Sequence, residues 1–92
     1  IIKTGGFKVG AGEVEAALLT HPGVTEAAVI GVSDPDLGQR IVAFVVGDAV
    51  DAATLINHVA ALLSVHKRPR EVRLVDVLPR NAMGKVQKTL LS

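Results

Sequence analysis

Val24-Thr25-Glu26-Ala27-Ala28-Val29-Ile30-Gly31-Val32, then Ser33-Asp34-Pro35-Asp36-Leu37-Gly38, then Gln39-Arg40-Ile41-Val42-Ala43-Phe44-Val45-Val46 run on without a break. The first stretch is β-branched and alanine-rich and reads as a strand. The Pro, Asp and Gly of the second mark a tight loop, and the third is another strand. Ile41 to Val46 is apolar at every position, where a strand with one wet face would alternate. This predicts a strand covered on both faces and central in its sheet.

On the N-terminal side, Glu13 to about Thr20 carries Val14, Ala17 and Leu18 at helical spacing until His21-Pro22-Gly23 stops the pattern. Before it, Ile1–Lys3 and Phe7–Val9 flank Thr4-Gly5-Gly6, the pattern of a small hairpin. On the C-terminal side, Asp51 can cap a helix running to about Val65, with Leu55, Ile56, Val59, Leu62 and Leu63 on one stripe. Glu71–Val77 alternates and predicts a third, half-exposed strand. Leu78–Lys85 is a Pro/Asn/Gly loop, and Val86–Leu91 begins a last short helix. The order describes an α+β domain: a small, mostly antiparallel three-stranded sheet with flanking helices plus a short N-terminal hairpin.

Ninety-two residues make one domain. The start at Ile1, directly in an apolar, Gly-rich segment, suggests a piece of a longer polypeptide. With 49% hydrophobic and 21% charged residues the composition is globular. No apolar run approaches the roughly 20 residues of a membrane span. Phe7 and Phe44 are the only aromatics, so base-stacking surfaces for nucleic acid are nearly absent. The lack of cysteine removes thiol nucleophiles and suits a reducing cytoplasm. His21, His58 and His66 lack metal-ligand spacing, so no metal site is expected.

Charge is uneven. Residues 1–65 carry a net −4 and residues 66–92 a net +5, which suits an anionic partner for the C-terminal third or a solvated basic surface. Asn81-Ala82-Met83-Gly84-Lys85 is not a phosphate-cradling P-loop, because Pro79 and Val86 stand where that motif needs Gly and Ser or Thr. Gly10-Ala11-Gly12 lacks the third glycine of a dinucleotide fingerprint. There remain a lysine in a glycine loop, a double glycine before a short strand, and the basic run His66-Lys67-Arg68-Pro69-Arg70.

Two longer motifs contain these features: Ile2-Lys3-Thr4-Gly5-Gly6-Phe7-Lys8-Val9 with Gly12-Glu13-Val14-Glu15, and Leu78-Pro79-Arg80-Asn81-Ala82-Met83-Gly84-Lys85. Between them stand His21-Pro22-Gly23-Val24, Ala28-Val29-Ile30-Gly31-Val32, Asp34-Pro35 and Gly38. In these stretches, and over essentially its whole length, the chain resembles the C-terminal domain of adenylate-forming acyl-CoA synthetases. Peptide-synthetase adenylation domains and firefly-type luciferases belong to the same superfamily. Within it, the run from Leu37 to Lys85 is most similar to malonyl-CoA synthetases and bacterial fatty-acyl-CoA ligases.

The resemblance implies a larger N-terminal domain of the same polypeptide that binds ATP, Mg2+ and the acid. The small domain closes over it first to form acyl-adenylate and pyrophosphate. After swinging about a hinge just upstream of Ile1, it helps CoA attack the adenylate. Lys85 matches the catalytic lysine, a point charge bridging carboxylate and α-phosphate oxygens. Gly84 lets the tip of a flexible loop enter a crowded site, and Asn81 supports that loop. Gly5 and Gly6 match the lining of the pantetheine path, and Phe7 and Lys8 beside them count among the substrate- or CoA-binding residues. His66, Lys67, Arg68 and Arg70 fall against the CoA nucleotide, His66 standing where relatives place an aromatic. The fragment alone would hold no cofactor and activate no acid. The competing readings are a stand-alone α+β nucleotide- or RNA-binding regulatory module and a structural interaction domain.

Overall fold

The computed structural model describes residues 1–91. Its elements in chain order are β1 (Ile2–Thr4), β2 (Phe7–Val9), α1 (Ala11–Leu19), β3 (Val24–Asp34), β4 (Gly38–Gly47), α2 (Ala52–Leu62) and β5 (Glu71–Leu74). Two 3-10 turns are added at Val65–Lys67 and Lys88–Leu90.

β4 organises the sheet. On one side it pairs antiparallel with β3, from Val24↔Gly47 to Asp34↔Gly38. On the other it pairs with β5 from Val42↔Glu71 to Val45↔Leu74, and this pairing is parallel. A parallel neighbour needs a crossover connection, and α2 supplies it. β1 joins the sheet antiparallel to β4 through Thr4↔Gly38, bringing β2 with it, so the N-terminal hairpin extends the three-stranded core into one five-stranded sheet. Gly5 and Gly6 close that hairpin with φ of 55° and 85°, the left-handed values that a two-residue turn of matching twist requires.

Alternate residues of β4 are buried in two different clusters. Ile41, Ala43 and Val45 pack with Val14 and Leu18 of α1 and with Leu55 and Val59 of α2. Val42 and Phe44 face the other way, against Ala28 and Leu78, with Val86 and Leu91 of the C-terminal segment laid over them. The uniformly apolar run is explained by this double cover. On β3, Val24 and Val29 are five residues apart yet share the helix-side cluster. A register shift between Val24 and Glu26 inserts the extra residue that turns Val24 to that face.

Asp51 caps α2 as its position suggests, its Oδ1 accepting from the Thr54 N–H at 2.8 Å. The helix ends at Leu62 rather than Val65, because the chain must turn back for Arg70 N–H to reach the Ile41 carbonyl and start β5. β5 stops at Leu74, short of Val77.

The last expected helix is reduced to the 3-10 turn. Val86 and Leu91 are five residues apart, a spacing that an α-helix spreads over well-separated faces. An extended Val86 followed by a tight turn puts both on the same side of the sheet. Val86 bridges Arg80, and Gln87 N–H donates to the Pro79 carbonyl at 2.8 Å. Among the described residues, no helix is long and apolar enough to cross a membrane.

Candidate functional site

The basic excess of the C-terminal third is mostly consumed by the fold. Lys67 pairs with Glu13 at 2.7 Å and Lys88 with Glu15 at 2.8 Å. Arg73 pairs with Glu71, and Arg80 with Glu26. The Arg68 guanidinium folds back onto the Val65 carbonyl. The Arg70 and Lys85 side chains make no hydrogen bond or ion pair with any described residue, and both residues are exposed. Of the seven basic residues after Val65, these two side chains stay outside the hydrogen bonds and ion pairs of the described fold, Arg70 acting on Asp34 only at a distance.

Lys85 sits on a turn that is built rather than slack. Asn81 Oδ1 accepts from the backbone N–H of Met83 at 2.9 Å and of Lys85 at 3.0 Å. Asn81 N–H donates to the Lys85 carbonyl at 2.9 Å, and Gly84 N–H donates to the Asn81 carbonyl at 2.9 Å. Gly84 has φ +81°, with no atom within 4 Å of where a Cβ would stand. Glycine is therefore needed for the backbone conformation and not for room. The flexible loop expected from the Pro/Asn/Gly composition is a closed, internally bonded turn, because the Asn81 carboxamide satisfies the backbone groups that a loose loop would leave to water.

Arg80 extends the framework, its Nη1 donating to the Gly84 carbonyl at 2.6 Å while its Nη2 meets the Glu26 carboxylate on β3. Arg80 stood in the Leu78–Lys85 motif with no role assigned to it, and Glu26 did not stand out in the sequence. The one available signal was a lone carboxylate inside the apolar run Val24–Val32.

At the other end of the strand order, the hairpin meets the basic run. Phe7 and His66 stack with ring centroids 4.0 Å apart and planes inclined by 18°. This pairing was not foreseen from sequence. Lys8 of β2 lies opposite Lys3 of β1, and both are exposed. Gly5, Gly6, Phe7, Lys8, His66, Lys67, Arg68 and Arg70 thus fall on one side of β4, while Asn81, Gly84 and Lys85 are anchored to β3 on the other. The candidate residues form two separate groups.

Three structural carboxylates are held below their ordinary range. Backbone N–H donors of Leu37 and Asp36 hold Asp34 below the usual carboxylate range, and the Thr54 backbone N–H and hydroxyl do the same for Asp51. The Arg73 guanidinium lowers Glu71. Among the described residues, no three His, Asp or Glu side chains converge as a metal site.

Known proteins resemble this chain in sequence and fold. A probable 2-succinylbenzoate–CoA ligase of Mycobacterium tuberculosis is 51% identical, the alignment covering 98% of this chain and 24% of that relative. The human mitochondrial malonate–CoA ligase is 46% identical over 99% of this chain and 16% of its own length. The crystal structure of ATP-bound MatB from Rhodopseudomonas palustris superimposes with TM-score 0.94 at 42% identity, over 99% of this chain and 19% of that one. The chain therefore spans a quarter or less of the length of these relatives. The AMP-binding enzyme C-terminal domain model matches residues 13–85, which reach from the start of α1 to the Lys85 turn, and the chain belongs to that family.

Proposed function

We propose that this chain is the mobile C-terminal domain of an AMP-forming acid–thiol ligase, which converts a carboxylic or fatty acid, ATP and CoA into acyl-CoA, AMP and pyrophosphate. The observation that carries this reading is that, of the basic residues after Val65, the side chains of the exposed Lys85 and Arg70 stay outside the hydrogen bonds and ion pairs of the fold and lie on opposite sides of β4 in a domain of this family. One rigid body can then offer a different group in each of two orientations.

In the first orientation the Lys85 ammonium bridges the attacking carboxylate and the α-phosphate oxygens. Negative charge there is redistributed as the acyl–phosphate bond forms and pyrophosphate leaves. Lys85 is the catalytic residue, and it acts as a positive charge, not a base. ATP arrives with its Mg2+ on the preceding domain, which also selects the acid, and no step here runs through the metal. In the second orientation the CoA thiol attacks the acyl-adenylate. Arg70 and, once released from the Val65 carbonyl, Arg68 meet CoA phosphates. Phe7 and His66 offer the nucleotide a flat surface, and Gly5-Gly6 leave a narrow path for the pantetheine arm. The absence of cysteine fits a cytoplasmic setting.

The test is Lys85→Ala in the ligase that carries this chain. Loss of one transition-state charge contact, about 3–4 kcal/mol, lowers adenylate formation by roughly a hundredfold to a thousandfold. Thioester formation from supplied acyl-adenylate and CoA continues. Equal loss of both half-reactions would refute the division of labour.

A further inference from the structure

The catalytic lysine has a support that reaches into the sheet. The Gly84–Lys85 peptide is held by both of its polar atoms: its carbonyl accepts from Arg80 Nη1 at 2.6 Å and its N–H donates to Asn81 Oδ1 at 3.0 Å. A planar peptide held on both edges is restrained as a unit, which places the Lys85 Cα and the point from which its side chain leaves the turn. Asn81 belongs to the turn itself and would move with it. Arg80 has an outside reference, because its other terminal nitrogen is held by the carboxylate of Glu26, 54 residues away on β3.

β3 in turn is locked to β4 along nearly its whole length. The C-terminal end of the same segment is fixed independently. Lys88 pairs with Glu15 of α1, and the same Glu15 oxygen accepts the Val29 N–H of β3 at 2.9 Å.

We propose that Arg80 and Glu26 are positioning residues for Lys85: Glu26 on β3 orients the Arg80 fork, and Arg80 fixes the Gly84 carbonyl and with it the catalytic ammonium. This rests on the proposed adenylation role of Lys85. The pair is partly exposed, with side-chain accessibilities of 41% and 35%, so it adds little to global stability. Its value is geometric, since a displacement of about 1 Å at a reacting group can cost on the order of a hundredfold in rate. The two contacts come from separate nitrogens of one rigid fork, Nη1 on the Gly84 carbonyl and Nη2 on Glu26, a geometry that the single nitrogen of a lysine does not reproduce.

The experiment uses the ligase carrying this chain, with Arg80→Ala, Arg80→Lys, Glu26→Ala, Glu26→Gln, the Arg80→Ala/Glu26→Ala double variant and Lys85→Ala. Adenylation and thioesterification are measured separately, together with thermal midpoints. Arg80→Ala and Glu26→Ala lower kcat of adenylate formation by about 10- to 100-fold, with KM for ATP and acid little changed. Thioester formation from supplied acyl-adenylate stays at the parent rate. Glu26→Gln, which keeps an oxygen acceptor, recovers most of the loss, whereas Arg80→Lys does not. The double variant is no worse than Arg80→Ala alone, as groups acting through one another are non-additive.

Additive losses, equal loss in both half-reactions, or a fall in activity that merely tracks the thermal midpoint would overturn the positioning role. If Lys85→Ala abolishes adenylation while Arg80→Ala and Glu26→Ala leave it intact, the relay fails and the role of Lys85 stands. If Lys85→Ala itself is harmless, the underlying reading fails first.

Discussion

Replacing Gly84 with alanine tests whether the Lys85 turn is rigid. Its φ of +81° lies in the left-handed region, which costs an L-residue about 1–2 kcal/mol. The added methyl meets no atom within 4 Å, so the whole cost is backbone. Against it stand five hydrogen bonds that close the turn: Met83 and Lys85 N–H to Asn81 Oδ1, Asn81 N–H to the Lys85 carbonyl, Gly84 N–H to the Asn81 carbonyl, and Arg80 to the Gly84 carbonyl. At the low, solvent-exposed end of about 0.5 kcal/mol each, they sum to about 2.5 kcal/mol. The bonds outweigh the strain, so Gly84→Ala keeps the turn and carries the penalty as lost stability.

In the 92-residue chain a loss of 1–2 kcal/mol lowers the melting temperature by roughly 4–16 °C, and adenylation in the parent ligase changes by a few-fold at most. D-alanine, introduced at position 84 by chemical ligation, matches the native φ and raises stability by about 0.4–1 kcal/mol through the unfolded chain. Combining Gly84→Ala with Asn81→Ala removes two of the bonds, tips the balance and drops adenylation toward the Lys85→Ala level. Unchanged stability of Gly84→Ala, or D-alanine as damaging as L-alanine, would refute the reasoning.

Arg70→Ala raises KM for CoA by about 10- to 100-fold, the loss of a charge-assisted contact of roughly 1.5–3 kcal/mol. Arg68→Ala costs less, because Arg68 must first leave the Val65 carbonyl. Adenylation is unchanged in both, and higher salt narrows the gap to the parent; an unaltered KM in Arg70→Ala refutes the contact. Acid titration of stability follows from Asp34 and Asp51, whose carboxyls lie below their ordinary 3.8 in the folded state. The unfolded chain binds those protons first, so the stability they give is complete above the ordinary carboxylate range and is lost as pH falls through the folded values. Asp34→Asn with Asp51→Asn keeps the Oδ1 acceptor of each residue, gives up the Asp51 Oδ2 contact with the Thr54 hydroxyl, and flattens the melting temperature between pH 5 and pH 3, on the order of the unperturbed carboxylate range; an unchanged acid limb refutes the assignment.

The parts of the fold legible from sequence are those that local pattern determines. Asp51 before Leu55 and Val59 is a cap and a stripe on one helix, and Ile41 to Val46 announces its own double burial. The Gly5-Gly6 turn is likewise local chemistry. What stayed hidden depends on residues distant in the chain. The parallel course of β5 and the annexation of the hairpin through Thr4↔Gly38 are set by long-range pairing. Val86–Leu91 has helical composition, but Val86 and Leu91 find more to bury against Phe44 and Val42 by abandoning the helix. At the candidate site, Asn81, Gly84 and Lys85 lie in one short motif, and their meeting in one turn was legible from it. Glu26 with Arg80 and Phe7 with His66 were not, since each pair spans more than fifty positions of sequence.

The pairing pattern bears on how a swinging domain could serve two reactions. Five of the seven basic residues after Val65 are tied to carboxylates or a carbonyl, so the charge that would attract ATP or CoA at random is largely spent on the scaffold. The remaining cations stand on framed backbone, Lys85 on a bonded turn and Arg70 at the entry to β5, where its N–H holds the Ile41 carbonyl at 2.8 Å. Backbone that is already ordered has little further freedom to lose when the group it carries meets a substrate, so the entropic cost is confined to the side chain. A slack loop would lose that freedom again at each closure. In the proposed two-orientation cycle, the double cover of β4, which joins both groups through one packed sheet, would let reorientation of the whole body replace local refolding as the switch between half-reactions.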